Sequence, residues 1–134
     1  MSMKQTIFII TEDVIFQKLI EVPLTGKISD LRVVVCKSYQ DVDELQCPLS
    51  SNLIILDDTL KGISLIEVIQ HIPKHKRIIS SIWFFTEIKT EPYIFKAYQM
   101  GATRVILKPF DPHKIAIEIL NQLDCSSNSN FIAR

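Results

Sequence analysis

Four short apolar runs in this chain end in residues that could act on one another. LIIL, Leu53 to Leu56, runs into two carboxylates, Asp57 and Asp58. IFII, Ile7 to Ile10, is followed by Thr11, Glu12 and Asp13. The run from Ile78 to Phe85 ends in Thr86 and Glu87, and Val105 to Leu107 ends in Lys108, Pro109 and Phe110. A carboxylate can attack phosphorus and become an aspartyl phosphate. Hard oxygen ligands from two loops suit Mg²⁺, which needs only one or two carboxylates beside water and phosphate oxygens. An ammonium supplies a point charge for a phosphoryl group, and a hydroxyl can donate to it. Each polar strand end is commonplace alone. Their co-occurrence is informative only if the four runs end side by side.

The surrounding pattern provides that arrangement. Short strand-like runs alternate with longer segments of helical period. Strands are expected at Ile7–Ile10, Leu31–Cys36, Leu53–Leu56, Ile78–Phe85 and Val105–Leu107. Helices are expected at Asp13–Leu24, with Val14, Ile15, Leu19 and Ile20 as its apolar stripe, at Tyr39–Leu45, and at Leu65–Ile72 before Pro73. A fourth is expected at Glu91–Met100, with Pro92 in its first turn and Gly101 at its end, and a fifth from Asp111 to about Asp124, with Pro112 at N1. Continuous apolar strands imply burial on both faces, hence a parallel sheet with right-handed crossovers and helices on both sides. In such sheets ligands bind beyond the carboxyl ends of the strands. Residues 1–124 then form one domain, and the Ser/Asn-rich residues 125–134 form a flexible tail.

Composition narrows the function classes. Lys plus Arg and Asp plus Glu number 15 each, so there is no basic excess for nucleic acid. The KHKR cluster at Lys74–Arg77 reads as a solvated loop. No apolar run is long enough for a membrane span or a signal-peptide core, so a cytoplasmic protein is expected. Cys36, Cys47 and Cys125 are widely spaced, and Pro73 separates His71 from His75, which argues against a zinc site or a disulfide framework.

The motifs LIILD ending at Asp57, FFT ending at Thr86 and GATRVILKPF from Gly101 to Phe110 resemble the receiver domains of two-component response regulators. The resemblance covers residues 5 to 124. It implies an α/β, flavodoxin-like, doubly wound five-stranded parallel sheet, (βα)5, with strand order 2-1-3-4-5. It implies that Asp57 accepts a phosphoryl group from a histidine kinase or phosphotransfer protein, with Thr86 as the switch hydroxyl and Lys108 as the charge partner. A Mg²⁺ ion would be held weakly by Glu12, Asp57 and the main-chain carbonyl of Thr59, with Asp13 and Asp58 as lesser candidates. The Lys108–Pro109 bond would be cis. The domain would not be an enzyme beyond slow self-catalysed phosphotransfer and dephosphorylation. A homodimer or an output partner would use the face made by the fourth helix, the fifth strand and the fifth helix, where Ile115, Ala116, Ile117, Ile119, Leu120 and Leu123 join Tyr93, Phe95 and Phe110.

The chain also departs from the receiver pattern. The two adjacent acids after the first strand are replaced by Thr11 and Glu12. Lys61 and Leu65 stand where the family has a proline and a glycine, and Val105 replaces the aromatic switch residue. These changes keep open an alternative: a pseudo-receiver that binds a partner without phosphate. Two other classes fail. A haloacid-dehalogenase-type hydrolase needs a second Asp where Thr59 stands. A flavin or dinucleotide binder needs a glycine-rich phosphate loop, and the chain has only three glycines.

Overall fold

The computed structural model describes residues 5–27, 31–37, 51–58 and 81–127. Its strands are β1 (Gln5–Ile10), β2 (Leu31–Cys36), β3 (Ser51–Asp57), β4 (Ser81–Thr86) and β5 (Arg104–Leu107). Its helices are α1 (Val14–Glu21), extended by a 3₁₀ turn over Val22–Leu24, α2 (Glu91–Met100) and α3 (Pro112–Ser127). The helices expected at 39–45 and 65–72 lie outside the described residues, as do Thr59, Lys61, His71, His75, Cys47 and the KHKR cluster.

All neighbouring strands pair in parallel, in the order β2-β1-β3-β4-β5. The sheet is buried on both faces, as the continuous apolar strands require. Ile7 and Ile9, Leu53 and Ile55, and Trp83 and Phe85 face one layer, packed with Phe16 and Ile20 of α1 and Ile115, Ile119 and Leu123 of α3. The alternate residues Phe8, Ile10, Ile54, Leu56, Ile82 and Phe84 face the other, with Ala97 of α2 and Ala102. A fully buried aliphatic or aromatic side chain contributes about 1.5–3 kcal/mol, so these two layers dominate the folding energy.

The ends of the helices follow their sequence signals. Asp13 caps α1, its side chain accepting from the Ile15 N–H at 2.9 Å. Asp111 does the same for α3 through the His113 N–H at 3.0 Å, with Pro112 opening the helix. Gly101 closes α2 at φ 123°, a backbone conformation that L side chains rarely adopt. Two expectations need correction. The buried stripe of α1 is Phe16 and Ile20, continued by Leu24, whereas Val14, Ile15 and Leu19 are exposed. The four-residue repeat 16–20–24 sets the face that meets the sheet, and the other apolar residues lie outside that arc. The last helix runs on to Ser127, past the end expected at Asp124.

Among the described residues no helix is long and apolar enough to cross a membrane.

Candidate functional site

The strand order puts β3 at the centre, between β1 and β4, with β5 one strand further out. The carboxyl ends of β1, β3, β4 and β5 therefore meet along one rim. Thr11, Asp57 and Thr86 are all buried there, with the Asp57 carboxylate fully shielded from solvent.

The hydroxyl of Thr11 donates to Asp57 Oδ2 at 2.6 Å. Its lone pair accepts the N–H of Asp13 at 2.9 Å, which leaves the hydroxyl proton aimed at the carboxylate. Thr86 repeats this device on the other side of β3. Its hydroxyl accepts the Ile88 N–H at 3.0 Å and donates to Asp58 Oδ2 at 2.7 Å. The Glu87 N–H reaches the same oxygen at 2.9 Å. Lys108 closes the circuit: its ammonium donates to Asp57 Oδ1 and to Asp58 Oδ1, the latter at 3.0 Å. The peptide bond after it, Lys108–Pro109, is cis.

Aromatic rings form the floor. Phe110, directly after Pro109, meets Phe85 at 4.9 Å and Phe16 at 5.9 Å between ring centroids. Phe16 and Phe85 lie 5.1 Å apart, all three edge-on, and the Lys108 ammonium stands 5.1 Å from the centre of the Phe16 ring. A cation over an apolar ring in a shielded site is held by the ring quadrupole as well as by its counter-ions. Charges placed this way perturb one another. Burial alone would raise the Asp58 carboxyl, but the Thr86 hydroxyl, the Glu87 amide and Lys108 outweigh it and hold it below its ordinary range. Burial alone would lower Lys108, but hydrogen bonds and charge from Asp57 and Asp58 push it up. Burial, then the Asp58 charge, raise the Tyr93 phenol.

The structure thus brings together Asp57, Thr86 and Lys108, as the sequence predicts, but with different partners. The hydroxyl on Asp57 belongs to Thr11, and that of Thr86 goes to Asp58. Asp13 is spent as the cap of α1. Glu12 is exposed. Among the described residues no cluster of three His, Cys, Asp or Glu stands close enough to hold a metal ion. Both Asp57 oxygens already accept hydrogen bonds, and an ammonium lies between the two carboxylates. Of the expected Mg²⁺ ligands, Glu12 is exposed to solvent, Asp57 is engaged by Thr11 and Lys108, and Thr59 lies outside the described residues. Sequence reasoning missed Thr11 as a donor and undervalued Asp58. The only available signal was a threonine in place of an acid.

On the flank, Phe95 and Tyr98 of α2, Leu107 of β5 and Ile117 of α3 are exposed apolar residues. Tyr93 and Phe110, expected to join them, are partly buried against the two core layers. Ile115, Ala116, Ile119 and Leu123 face the core as well, and Leu120 packs against it. The face is braced by a 2.7 Å ion pair between Arg104 and Glu118, by Arg104 stacked 4.8 Å over Trp83, and by the Tyr98 hydroxyl accepting the Val105 N–H at 3.1 Å.

Comparison with known proteins agrees with this architecture. No curated protein matches the chain. Among solved structures, a beryllofluoride-activated DrrB receiver domain matches at 20% identity and TM-score 0.75, covering 91% of this chain and 99% of its own. The signal receiver domain of a putative LuxO repressor protein from Vibrio parahaemolyticus matches at 16% identity and TM-score 0.76, covering 97% of this chain and 98% of its own. The chemotaxis response regulator CheY4 of Vibrio cholerae matches at 14% identity and TM-score 0.73, covering 90% and 98%. At such identities these structures share the fold. The sequence profile of the response regulator receiver domain matches residues 7–120. The chain belongs to the response regulator receiver domain family.

Proposed function

We propose that this receiver domain accepts a phosphoryl group on Asp57 from a histidine kinase or phosphotransfer protein, and that the change alters the surface formed by α2, β5 and α3. The observation that carries the reading is the single hydrogen-bonded network joining Asp57, Lys108, Asp58 and Thr86 at the strand ends. In the transfer an Asp57 oxygen attacks phosphorus. The bond from phosphorus to the donor imidazole nitrogen breaks, its electron pair stays on that nitrogen, and an acyl phosphate forms. Lys108 offsets the added negative charge, and Thr86, once released from Asp58, offers its hydroxyl. The chemistry is confined to the domain's own side chain, with slow self-catalysed transfer and loss. The exposed Phe95, Tyr98, Leu107 and Ile117 give the partner surface its apolar contacts. A histidine-kinase partner implies a cytoplasmic setting.

A second reading has its own support. The Asp57 carboxylate is fully shielded and both its oxygens are engaged, and the described residues offer no metal cluster. That arrangement suits an interaction module that works without phosphate. Incubation with acetyl phosphate, with and without Mg²⁺, separates the two. Covalent phosphate on the wild-type chain that is absent from Asp57→Asn supports the acceptor. A chain that stays unlabelled under every condition overturns it.

A further inference from the structure

We propose that Asp58 is an internal stand-in for the phosphoryl group: it holds, in the unmodified protein, the donors that a phosphoryl group on Asp57 would recruit. The inference rests on the acceptor reading above for its account of competition, but its structural half is independent of it. Asp58 accepts from the Thr86 hydroxyl at 2.7 Å, from the Glu87 N–H at 2.9 Å and from the Lys108 ammonium at 3.0 Å. A hydroxyl, a backbone amide and an ammonium converging on one point form the donor set that a multiply charged oxyanion needs. Here a carboxylate fills it.

The geometry leaves the Thr86 hydroxyl and the Glu87 N–H little freedom to serve a second acceptor, whereas the Lys108 ammonium already serves both Asp57 and Asp58. The Ile88 N–H donates into the Thr86 hydroxyl oxygen at 3.0 Å, which commits that hydroxyl's proton to Asp58. The Asp58 N–H donates to the Phe85 carbonyl at 3.1 Å, so its backbone is pinned to β4 while its side chain turns over the strand end. Residues 87–90, which lead into α2 at Glu91, are thereby tied to β3 by a side chain of the chain itself. The loop at the edge of the α2–β5–α3 face is held to the end of β3 without phosphate. A phosphoryl group arriving on Asp57 must displace Asp58 from at least some of these donors. Asp58 is a positioning residue: it acts through Thr86, Glu87 and Lys108.

The test compares wild type with Asp58→Ala and the near-isosteric Asp58→Asn by amide hydrogen exchange and by acetyl phosphate labelling. Amides in β1 and β5 report that each variant is folded. In Asp58→Ala the Glu87 amide is expected to exchange about tenfold faster, as befits loss of a hydrogen bond to a charged acceptor, and Asp58→Asn, which keeps a neutral acceptor, falls between. Labelling of Asp57 is expected to rise by a similar factor in Asp58→Ala. Faster Glu87 exchange with no label in any variant supports Asp58 as the holder of the loop and sinks the acceptor instead. Unchanged Glu87 exchange in both variants overturns the proposal whatever the labelling shows. Faster exchange with slower labelling overturns the competition and makes Asp58 an assistant to transfer.

Discussion

Replacing Thr11 by valine keeps the shape of a side chain that is only 1% exposed and removes the hydroxyl that donates to Asp57. The Asp57 carboxylate is fully shielded, so water does not take over the lost bond without rearrangement. A hydrogen bond to a charged group contributes about 1.5–3 kcal/mol, and an added buried methyl returns about 0.8. The Asp13 N–H also loses its acceptor, but it is partly exposed and can turn to water. The net expectation is about 1.5 kcal/mol of lost stability. For a domain of this size that is a fall of roughly 4–8 °C in Tm. Urea denaturation measures it, with an unchanged m-value as the sign that only stability has moved. The decisive control is Thr11→Ser, which keeps the donor and gives up a methyl at a cost of about 0.8 kcal/mol. If the hydroxyl matters as argued, the order of stability is Thr, then Ser, then Val. If Thr11 is a shape-filling residue, Val equals or exceeds Thr and Ser is the worst. That second order would refute the reasoning.

Lys108→Met leaves the Asp57 and Asp58 carboxylates without their shared cation. A loss of about 3–5 kcal/mol is expected at neutral pH, and calorimetry should show the deficit narrowing in acid as Asp58 takes up a proton. The Asp58 carboxyl sits below its ordinary range in the folded state, so its contribution is present above the unfolded value near 4 and fades as pH falls through the folded one. Tm against pH should therefore drop more steeply in acid for wild type than for Asp58→Asn. Lys108 is raised, so its contribution is complete below its unfolded value near 10.4 and disappears as pH climbs through the folded one, a loss that Lys108→Met lacks. Asp111→Ala removes the acceptor at the start of α3 and should cost about 1 kcal/mol in chemical denaturation, with the rim network untouched.

The architecture was legible because it depends on patterns that local sequence records. Ile7–Ile10, Leu53–Leu56 and Trp83–Phe85 are continuous and apolar because helices cover both sides, and Asp111, Pro112 and Gly101 mark helix ends for reasons of backbone geometry. The convergence of Asp57, Thr86 and Lys108 was legible too, since parallel strands deliver their carboxyl ends to one rim. Which oxygen meets which donor was not. Thr11 and Asp57 are 46 residues apart, and nothing in TEDV or LDD distinguishes a hydroxyl that binds a carboxylate from one that faces water. The α1 stripe misled for a related reason. Val14, Ile15 and Leu19 are as apolar as Phe16 and Ile20, and only the docking angle of the helix selects among them. The aromatic floor of Phe16, Phe85 and Phe110 joins α1, β4 and the residues after β5, a contact no sequence window contains.

The division of labour between Asp57 and Asp58 has a simple origin in the sheet. Successive residues along an extended strand point to opposite sides, so two adjacent acids at a strand end cannot serve one site in the same way. β3 lies between β1 and β4, and each neighbour ends in a threonine whose hydroxyl accepts the N–H two residues on. Asp57 closes against the β1 threonine and Asp58 against the β4 threonine. A single cation from β5 then reaches back over β4 to neutralise both. An acid at position 11 would put a third negative charge against Asp57, where a divalent ion would have to balance it. Threonine supplies a proton instead, and the rim is satisfied by the chain's own groups. Thr11 and the second acid at Asp58 are thus two halves of one arrangement: the first gives Asp57 a proton where an acid would add charge, and the second gathers the Thr86 hydroxyl, the Glu87 N–H and the Lys108 ammonium.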